Sequence, residues 1–483
     1  MKSLLFVLFL LACTLLKGQG FEKIRFGSPD TAYVGVFTDE LTEGKYTVLC
    51  GQYVDHIPVG GEILEYDVSG SLGKYVKLPE YTGLILEPER IIRSGINQLI
   101  LAGNAWNNTN DEQDLFLMTL DNSYQIQSIV IVNNPTLDDR FLNWHFFNDS
   151  IVDIACKDLD SAYYNSYVLR VRLNGQIIKQ TTPGYPVNPV DFYYKKSDST
   201  YYIINSDVIF GFSADSLNPL GILFDQFVYN QSHNYPVLQT GNAFGINDSV
   251  FLTMGHYMDF SGTIPIREMG ISLWNNSFDP VIIFHNGEDG YYNQSPSNSF
   301  SFIDPKHAFL SGYSLLLPDG IKQQTTLDEY RILVFNINTE TGAENWRRLF
   351  YSNYCAFPDF TSSTSDGGCL ITGSRTDLNG IRTDMFLLKL DSLGNCTPDV
   401  ISENQKPAYE IFPNPVSTYM RVSSQGSIIS FSISDLSGRS LVNEKCYGNN
   451  DILIETEMLD PGIYLLKASF NDGSTAVKKF LRL

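Results

Sequence analysis

The chain has 483 residues, 43% of them hydrophobic and 13% aromatic, with a formal charge of −21 at pH 7. Such a surface repels phosphate backbones, which argues against a nucleic-acid partner. Residues 409–483 hold eight acidic and seven basic side chains, so nearly all the charge sits on the preceding body, where it serves solubility.

At the N-terminus, Lys2 precedes a mostly apolar run from Leu4 to Leu16. The run is too short to span a membrane and suits a secretory signal peptide. Gly18-Gln19-Gly20 places small residues at −3 and −1 of a cut before Phe21, so residues 1–20 are predicted to be the leader. In a rival reading, Leu10-Leu11-Ala12-Cys13 resembles a lipoprotein box, which would leave a lipid on Cys13. Against it, Thr14-Leu15-Leu16 prolongs the apolar core. No later segment has an apolar run of transmembrane length. Past Cys13 six cysteines remain, Cys50, Cys156, Cys355, Cys369, Cys396 and Cys446. An even count in an exported chain permits disulfides, and the absence of CxxC spacing excludes zinc-knuckle and thioredoxin readings. Cys50 and Cys156 are expected to be buried free thiols. Cys369 and Cys396 form a candidate pair, with Cys355 as competitor for either.

From residue 21 to about 400 the chain reads as a repeat. A short apolar strand ending in a small residue recurs, ending at Gly51, Gly103, Cys156, Ser206, Gly255, Gly312 and Gly373, in steps of 52, 53, 50, 49, 57 and 61. A polar loop and a second strand follow, as in Leu115–Asp121, Val168–Asn174, Ile332–Asn336 and Met385–Asp391. A unit of this length without helical period predicts one four-stranded blade, and seven units predict a seven-bladed β-propeller. The repeated strands are expected to line its central axis, where crowding favours small side chains. A pair of β-sandwiches is the competing fold.

Catalytic motifs are missing. There is no Gly-x-Ser-x-Gly elbow, His-Glu-x-x-His, P-loop or Rossmann glycine fingerprint. His256, beside Gly255, could face the channel, though a histidine satisfied by a nearby carbonyl is the plainer reading. Asn107, Asn110, Asp111 and Asp114, and then Asp377, Asn379 and Asp384, loosely resemble calcium loops, but hairpin tips favour these residues for backbone reasons alone. No catalytic, cofactor or metal residues are therefore predicted.

A linker over 401–408 leads into the tail, residues 409–483. Ile429, Phe431 and Ile433 alternate with serines, the period of a half-buried strand. Pro413-Asn414-Pro415 excludes helix, while Ser437-Gly438 and Pro461-Gly462 mark turns. A small Ig-like β-sandwich is predicted. Four motifs stand in series: Phe412-Pro413-Asn414-Pro415, Ile433 to Arg439 around Asp435 and Gly438, Leu459 to Leu465 around Gly462 and Tyr464, and Lys478-Lys479-Phe480-Leu481-Arg482-Leu483. In order and spacing they resemble the C-terminal sorting domain of the type IX secretion system. The resemblance implies export across the outer membrane, recognition of the tail by the translocon, and release or surface attachment of the body. The unit from Asp366 to Gly394 also looks like repeats in propeller proteins carrying this tail.

Seven tripeptides are similar to the O-glycosylation sequon of bacteria using this route, placing acceptors at Thr31, Ser150, Ser161, Ser199, Ser216, Ser249 and Ser392. Asp-Ser is also a good turn dipeptide in its own right. The function expected is non-catalytic binding or adhesion, with an extracellular glycan or protein as ligand. The alternative is a glycan-active hydrolase whose acidic residues converge at the propeller axis.

Overall fold

The computed structural model describes residues 20–396 and 409–483, apart from 29, 96, 108–111, 134–138, 159–165, 183–188, 206–207, 226–237, 248–249, 260–265, 279, 288–290, 295, 297, 317–329, 351–353, 378–381, 413, 436–438 and 471–474. The predicted leader, residues 1–20 with Cys13 (apart from Gly20), and the predicted linker, 401–408, lie outside these residues. The chain divides into two compact units at residues 397/398.

In the first unit, strand β1 (Phe21–Arg25) is followed by blade 1, β2 (Ala32–Thr42), β3 (Lys45–Val54), β4 (Ile57–Asp67) and β5 (Leu72–Lys77). Blade 2 is β6 (Ile85–Arg93), β7 (Gln98–Asn107), β8 (Glu112–Asp121) and β9 (Ile126–Val132). Blade 3 is β10 (Asp139–Asn148), β11 (Ile151–Asp158), β12 (Ser166–Arg172) and β13 (Ile177–Thr181). Blade 4 is β14 (Pro189–Lys195), β15 (Thr200–Asn205), β16 (Val208–Ser213) and β17 (Pro219–Asp225). Blade 5 is β18 (Leu238–Asn247), β19 (Val250–Asp259), β20 (Ile266–Trp274) and β21 (Pro280–Asn286). Blade 6 opens with a split strand, β22 (Tyr291–Gln294) and β23 (Phe300–Asp304), and continues with β24 (His307–Leu316), β25 (Tyr330–Asn338) and β26 (Glu344–Phe350). Blade 7 is β27 (Tyr354–Ser363), β28 (Cys369–Asp377) and β29 (Thr383–Leu390), completed by β1, which pairs antiparallel with β29 from Phe21↔Lys389 to Arg25↔Met385.

Seven core clusters fill the seven spaces between neighbouring blades. Leu49 and Ile63 of blade 1 pack with Leu101 and Phe116 of blade 2. The series returns to its start where Val48 and Cys50 of blade 1 pack with Leu370 and Met385 of blade 7. A closed ring of seven blades follows, and the body is a seven-bladed β-propeller. Each central strand is buried on both faces, which explains why the repeated strands read as continuous apolar runs instead of alternating.

The repeated strands are β3, β7, β11, β15, β19, β24 and β28, the second strand of every blade. They do not line the axis. The first strands do, touching one another around the ring, as β2 touches β6 and β27 and β14 touches β10 and β18. The physical reason for the small residue lies in that neighbour. Each first strand is bulged or broken at one level, with shifts at Gly35/Phe37, Pro88/Arg90, Phe141/Asn143, Pro189/Asp191, Thr240/Ala243 and Pro358/Phe360. In blade 6 the break between Gln294 and Phe300 lies opposite Ser311 and Gly312. Facing the bulges stand Cys50, Gly103, Cys156, Asn205, Gly255 and Gly373. A Cβ on Gly103 would lie 2.0 Å from the Glu87 carbonyl oxygen, and one on Gly373 would lie 2.0 Å from that of Phe357. The bulge pushes backbone into the space where a side chain would stand.

None of the six cysteines past Cys13 is in a disulfide. Cys50 and Cys156 are buried and not bridged to each other, as expected. Cys369 and Cys396 share one apolar cluster, yet the candidate bridge between them is not formed.

The second unit is a β-sandwich of β30 (Tyr409–Phe412), β31 (Tyr419–Asp435), β32 (Ser440–Glu455), β33 (Gly462–Phe470) and β34 (Thr475–Arg482), ordered β30-β31-β33-β34 with β32 on β31. Register shifts after Ser423 divide the long β31, and both halves feed one core, Met420 and Val422 from the first, Ile428, Phe431 and Ile433 from the second. A shift between Ile428 and Ser430 buries Ile428 and exposes Ile429, so the simple alternation expected from Ile429 onward is broken at its first member.

Gly103→Ala and Gly373→Ala are expected to lower stability by roughly 1–3 kcal/mol each, since the added methyl meets backbone and not a movable side chain. Thermal melts check this, and an unchanged midpoint in both variants would contradict the bulge explanation.

Candidate functional site

The bulges also build a pocket. The residue after each bulge is Phe37, Arg90, Asn143, Asp191, Ala243 or Phe360, and all six line one cavity of about 430 Å³ at the axis. Blade 6 adds Asn298 from its strand break, so every blade contributes. Ile92, Trp144, His145, Phe146, Phe192 and Phe244 complete the wall. The volume falls within the range of small-ligand sites, and the mostly aromatic lining with a few polar groups is their usual chemistry.

Three polar groups hold the ring together. Asp191 accepts from Asn143 Nδ2 at 2.7 Å and from the Ala243 N–H at 2.7 Å, tying blades 3, 4 and 5. Burial raises its pKa, opposed by these hydrogen bonds. Asn104 Oδ1 accepts from the Phe141 N–H at 2.8 Å, joining blade 2 to blade 3. The Asn298 carbonyl accepts from the Thr361 N–H at 2.9 Å, joining blade 6 to blade 7.

Arg90 is 5% exposed and lies with its guanidinium 4.7 Å from the Phe360 ring centre and 5.7 Å from that of Phe37. Burial depresses its pKa. His145 lies 4.3 Å from Tyr194, ring centre to ring centre, and burial lowers its pKa too, so it is neutral at pH 7. Beside the pocket, the bulge residues of blades 2 and 7 are acids, Glu89 and Asp359. Burial and the charge of Glu87 raise the pKa of Glu89, against the pull of Arg90, Arg140 and a hydrogen bond from Asn104. Burial and the charge of Glu89 push Asp359 up to about 7. Glu87 itself is held by Tyr53 Oη at 2.6 Å and Asn104 Nδ2 at 3.0 Å.

Of the residues singled out in the sequence, His256 is buried in β19 and does not line the pocket; His145 is the histidine that does. Asp384 is buried and engaged by the Gly27 N–H at 2.9 Å, by Arg375 at 3.4 Å and by Arg382 at 3.0 Å, fastening the closing segment of the ring. Asn107 and Asp114 sit in β7 and β8, while Asn110, Asp111 and Asn379 lie outside the described residues, as does the side chain of Asp377. Among the described residues no cluster of three or more metal-ligating side chains occurs. Ser150 and Ser216 are exposed on turns, Thr31, Ser199 and Ser392 are half-buried at turns, and Ser161 and Ser249 lie outside the described residues. The pocket residues escaped the sequence reading, although Pro88-Glu89-Arg90, Pro189-Val190-Asp191 and Pro358-Asp359-Phe360 share a Pro-x-x pattern some 15 residues before the repeated small residue.

The tail motifs converge. Asn414 Oδ1 accepts from the Leu481 N–H at 3.0 Å, and Val416 and Leu481 share a backbone hydrogen bond at 2.8 Å, which joins the Asn414-Pro415 segment to Lys479-Phe480. Tyr464 stacks on Phe480 at 5.7 Å and donates from Oη to the Asp460 carbonyl at 2.8 Å. Asp435 pairs in register with Tyr464 and accepts from the Arg439 N–H at 3.0 Å. Gly462 opens β33, Lys479 is exposed, and Pro413 and Gly438 lie outside the described residues.

Residues 410–482 match the family model of the secretion system C-terminal sorting domain. The tail of this chain is therefore a type IX secretion sorting domain, and it marks the protein for secretion or for the cell surface. No curated protein matches the chain. Among solved structures it is similar to the WD40 domain of SCAP from fission yeast, at 10% identity and a TM-score of 0.35, covering 77% of this chain and 98% of that one. The AfRom2 CNH domain shows 10% identity and a TM-score of 0.40, covering 77% and 99%. A luciferin-regenerating enzyme shows 10% identity and a TM-score of 0.35, covering 76% and 95%. Likenesses this loose say nothing about ligand or activity. No helix among the described residues is long and apolar enough to cross a membrane.

Raised carboxyl pKa values carry a sign. Stability contributed by neutral Glu89 and Asp359 is complete below the unfolded carboxyl range, about pH 4, and is lost as pH rises through the folded value, about 7 for Asp359. Between about pH 4 and about pH 8 the melting midpoint of wild type is expected to fall more than that of a Glu89→Gln/Asp359→Asn double variant. Parallel curves would contradict the assignment.

Proposed function

We propose that the protein is an exported, non-catalytic binding protein whose propeller takes an extracellular glycan or protein group in the axial pocket. The observation that supports this most is the lining, where six aromatic rings surround a few polar groups. The alternative, a glycan-active hydrolase, needs two carboxylates flanking the scissile bond. The lining holds one, Asp191, and both its oxygens are engaged between blades. Glycan and protein arrays probed with the secreted protein test the proposal. Trp144→Ala and Phe360→Ala should each weaken capture by about tenfold or more, as expected for lost aromatic anchors. Capture that is unchanged in both variants would place the ligand elsewhere. Reducing ends released from a polysaccharide, and abolished by Glu89→Gln, would establish the hydrolase instead.

The tail supports delivery. Deleting Tyr409–Leu483 should leave the propeller folded and hold it in the periplasm, because the sorting motifs are packed into a core of their own. Recovery of the truncated protein outside the cell at wild-type level would overturn this. Removal of residues 1–20, in preference to lipid attachment at Cys13, and glycosylation at Thr31, Ser150, Ser161, Ser199, Ser216, Ser249 or Ser392 belong to the same proposal. Intact mass of the secreted protein reads both.

A further inference from the structure

Four cations are buried among the described residues, Arg90, Arg170, Lys195 and Lys389. Three end on a carboxylate. Arg170 reaches Asp153 at 2.8 Å through both Nε and Nη2, Lys195 reaches Asp198 at 3.1 Å, and Lys389 reaches Asp366 at 2.9 Å. Arg90 does not. It donates one hydrogen bond, from Nη1 to the carbonyl of its neighbour Glu89 at 2.8 Å, and its remaining donors have no partner among the described residues. Asp191 is the one acid in the lining, and its oxygens are already taken by Asn143 and Ala243. Glu89 and Asp191 both attract the Arg90 charge, but neither hydrogen-bonds it, and burial and Glu87 draw Glu89 toward its neutral form. A buried guanidinium with no hydrogen-bonded carboxylate is costly to keep, and its planar fork matches a carboxylate in two parallel hydrogen bonds. Phe37 and Phe360 hold the fork in place from the sides.

We propose that the axial pocket selects an acidic sugar, a ring bearing a carboxylate that forms the missing ion pair with Arg90. The inference rests on the binding role proposed above and names its ligand class. The rest of the lining suits such a ring. The Asn298 amide and the His145 ring nitrogens have no hydrogen-bond partner among the described residues and can meet hydroxyls, while Trp144 and Phe360 offer faces for the ring's C–H side. The overall charge of −21 slows the approach of an anion. That repulsion is screened beyond about 8 Å at physiological salt and does not reach a contact made inside the pocket.

The test is calorimetric titration of the secreted protein with D-glucuronate and D-galacturonate, each against its uncharged amide, D-glucuronamide and D-galacturonamide. At least one acid should bind about tenfold or more tightly than its amide, as a charge-assisted bidentate pair allows. The preference should vanish in Arg90→Met and survive in part in Arg90→Lys, which keeps the charge without the fork. Arg90→Met should melt no lower than wild type, because burial costs the guanidinium more than the attraction of Glu89 and Asp191 returns. Equal binding of acid and amide, no binding of either acid, a preference that persists in Arg90→Met, or a clear loss of stability in that variant would each overturn the inference. Equal binding that is lost in Trp144→Ala would overturn the acidic sugar alone and leave the pocket as a binding site. Acid binding indifferent to Trp144→Ala and Phe360→Ala would overturn both.

Discussion

The body depends on a backbone feature repeated around the ring, a bulged or broken first strand facing the second strand of its blade, and at Gly103 and Gly373 the bulge presses its backbone directly against the facing residue. The contact leaves no room for an ordinary side chain at Gly103 or Gly373, because the carbonyl oxygens of Glu87 and Phe357 occupy the place of the Cβ. In return it turns the next residue of each bulged strand toward the axis. Stability and site are thus coupled through one backbone feature. The same displacement that admits glycine on one side presents Phe37, Arg90, Asn143, Asp191, Ala243 or Phe360 on the other. Bulges commonly re-aim side chains in this way, and a ring repeats the effect at a constant height.

Ring closure places a second demand on the sequence. Strand β1 is the first in the chain and the outermost in the last blade, so the two ends of the propeller are joined by main-chain hydrogen bonds. Arg25 of β1 forms a bidentate pair with Glu62 of blade 1, at 3.1 and 3.0 Å. Phe21 is buried in the cluster between blades 1 and 7. The closing strand therefore seals the interface that would otherwise be the weakest, since its partners are the most distant in sequence. Asp384, one of the residues that resembled a calcium ligand, serves this closure through Gly27.

The tail shows a different economy of design. Its motifs are far apart in sequence and adjacent in space. Asn414 meets Leu481, Tyr464 meets Phe480, and Asp435 stands opposite Tyr464. These motifs therefore meet only once the sandwich is folded.

The amino-acid sequence alone determined the repeat, the blade count, the all-β class and the sorting tail, because these are written in local patterns. Apolar strands recur every 50 or so residues, each ending in a small residue, and the tail motifs keep a fixed order. It also indicated that Cys50 and Cys156 are not bridged to each other, from their equal phase in separate blades. Only the tertiary structure decided which strand faces the axis. The second strand carries the stronger pattern because it is buried on both faces, whereas the first strand, lining a partly open channel, mixes Arg90, Asn143 and Asp191 with Phe37 and Phe360 and so shows no clear period. The choice of His145 over His256 follows from that strand assignment, and the inward turn of Ile428 in place of Ile429 is set by a register shift. A shift of one residue reverses the face of every side chain beyond it, and nothing in the local composition announces where it falls. Arg90 is the clearest case: in the sequence it is one arginine among many charged residues, and only the folded ring shows that, among the described residues, no carboxylate hydrogen-bonds it.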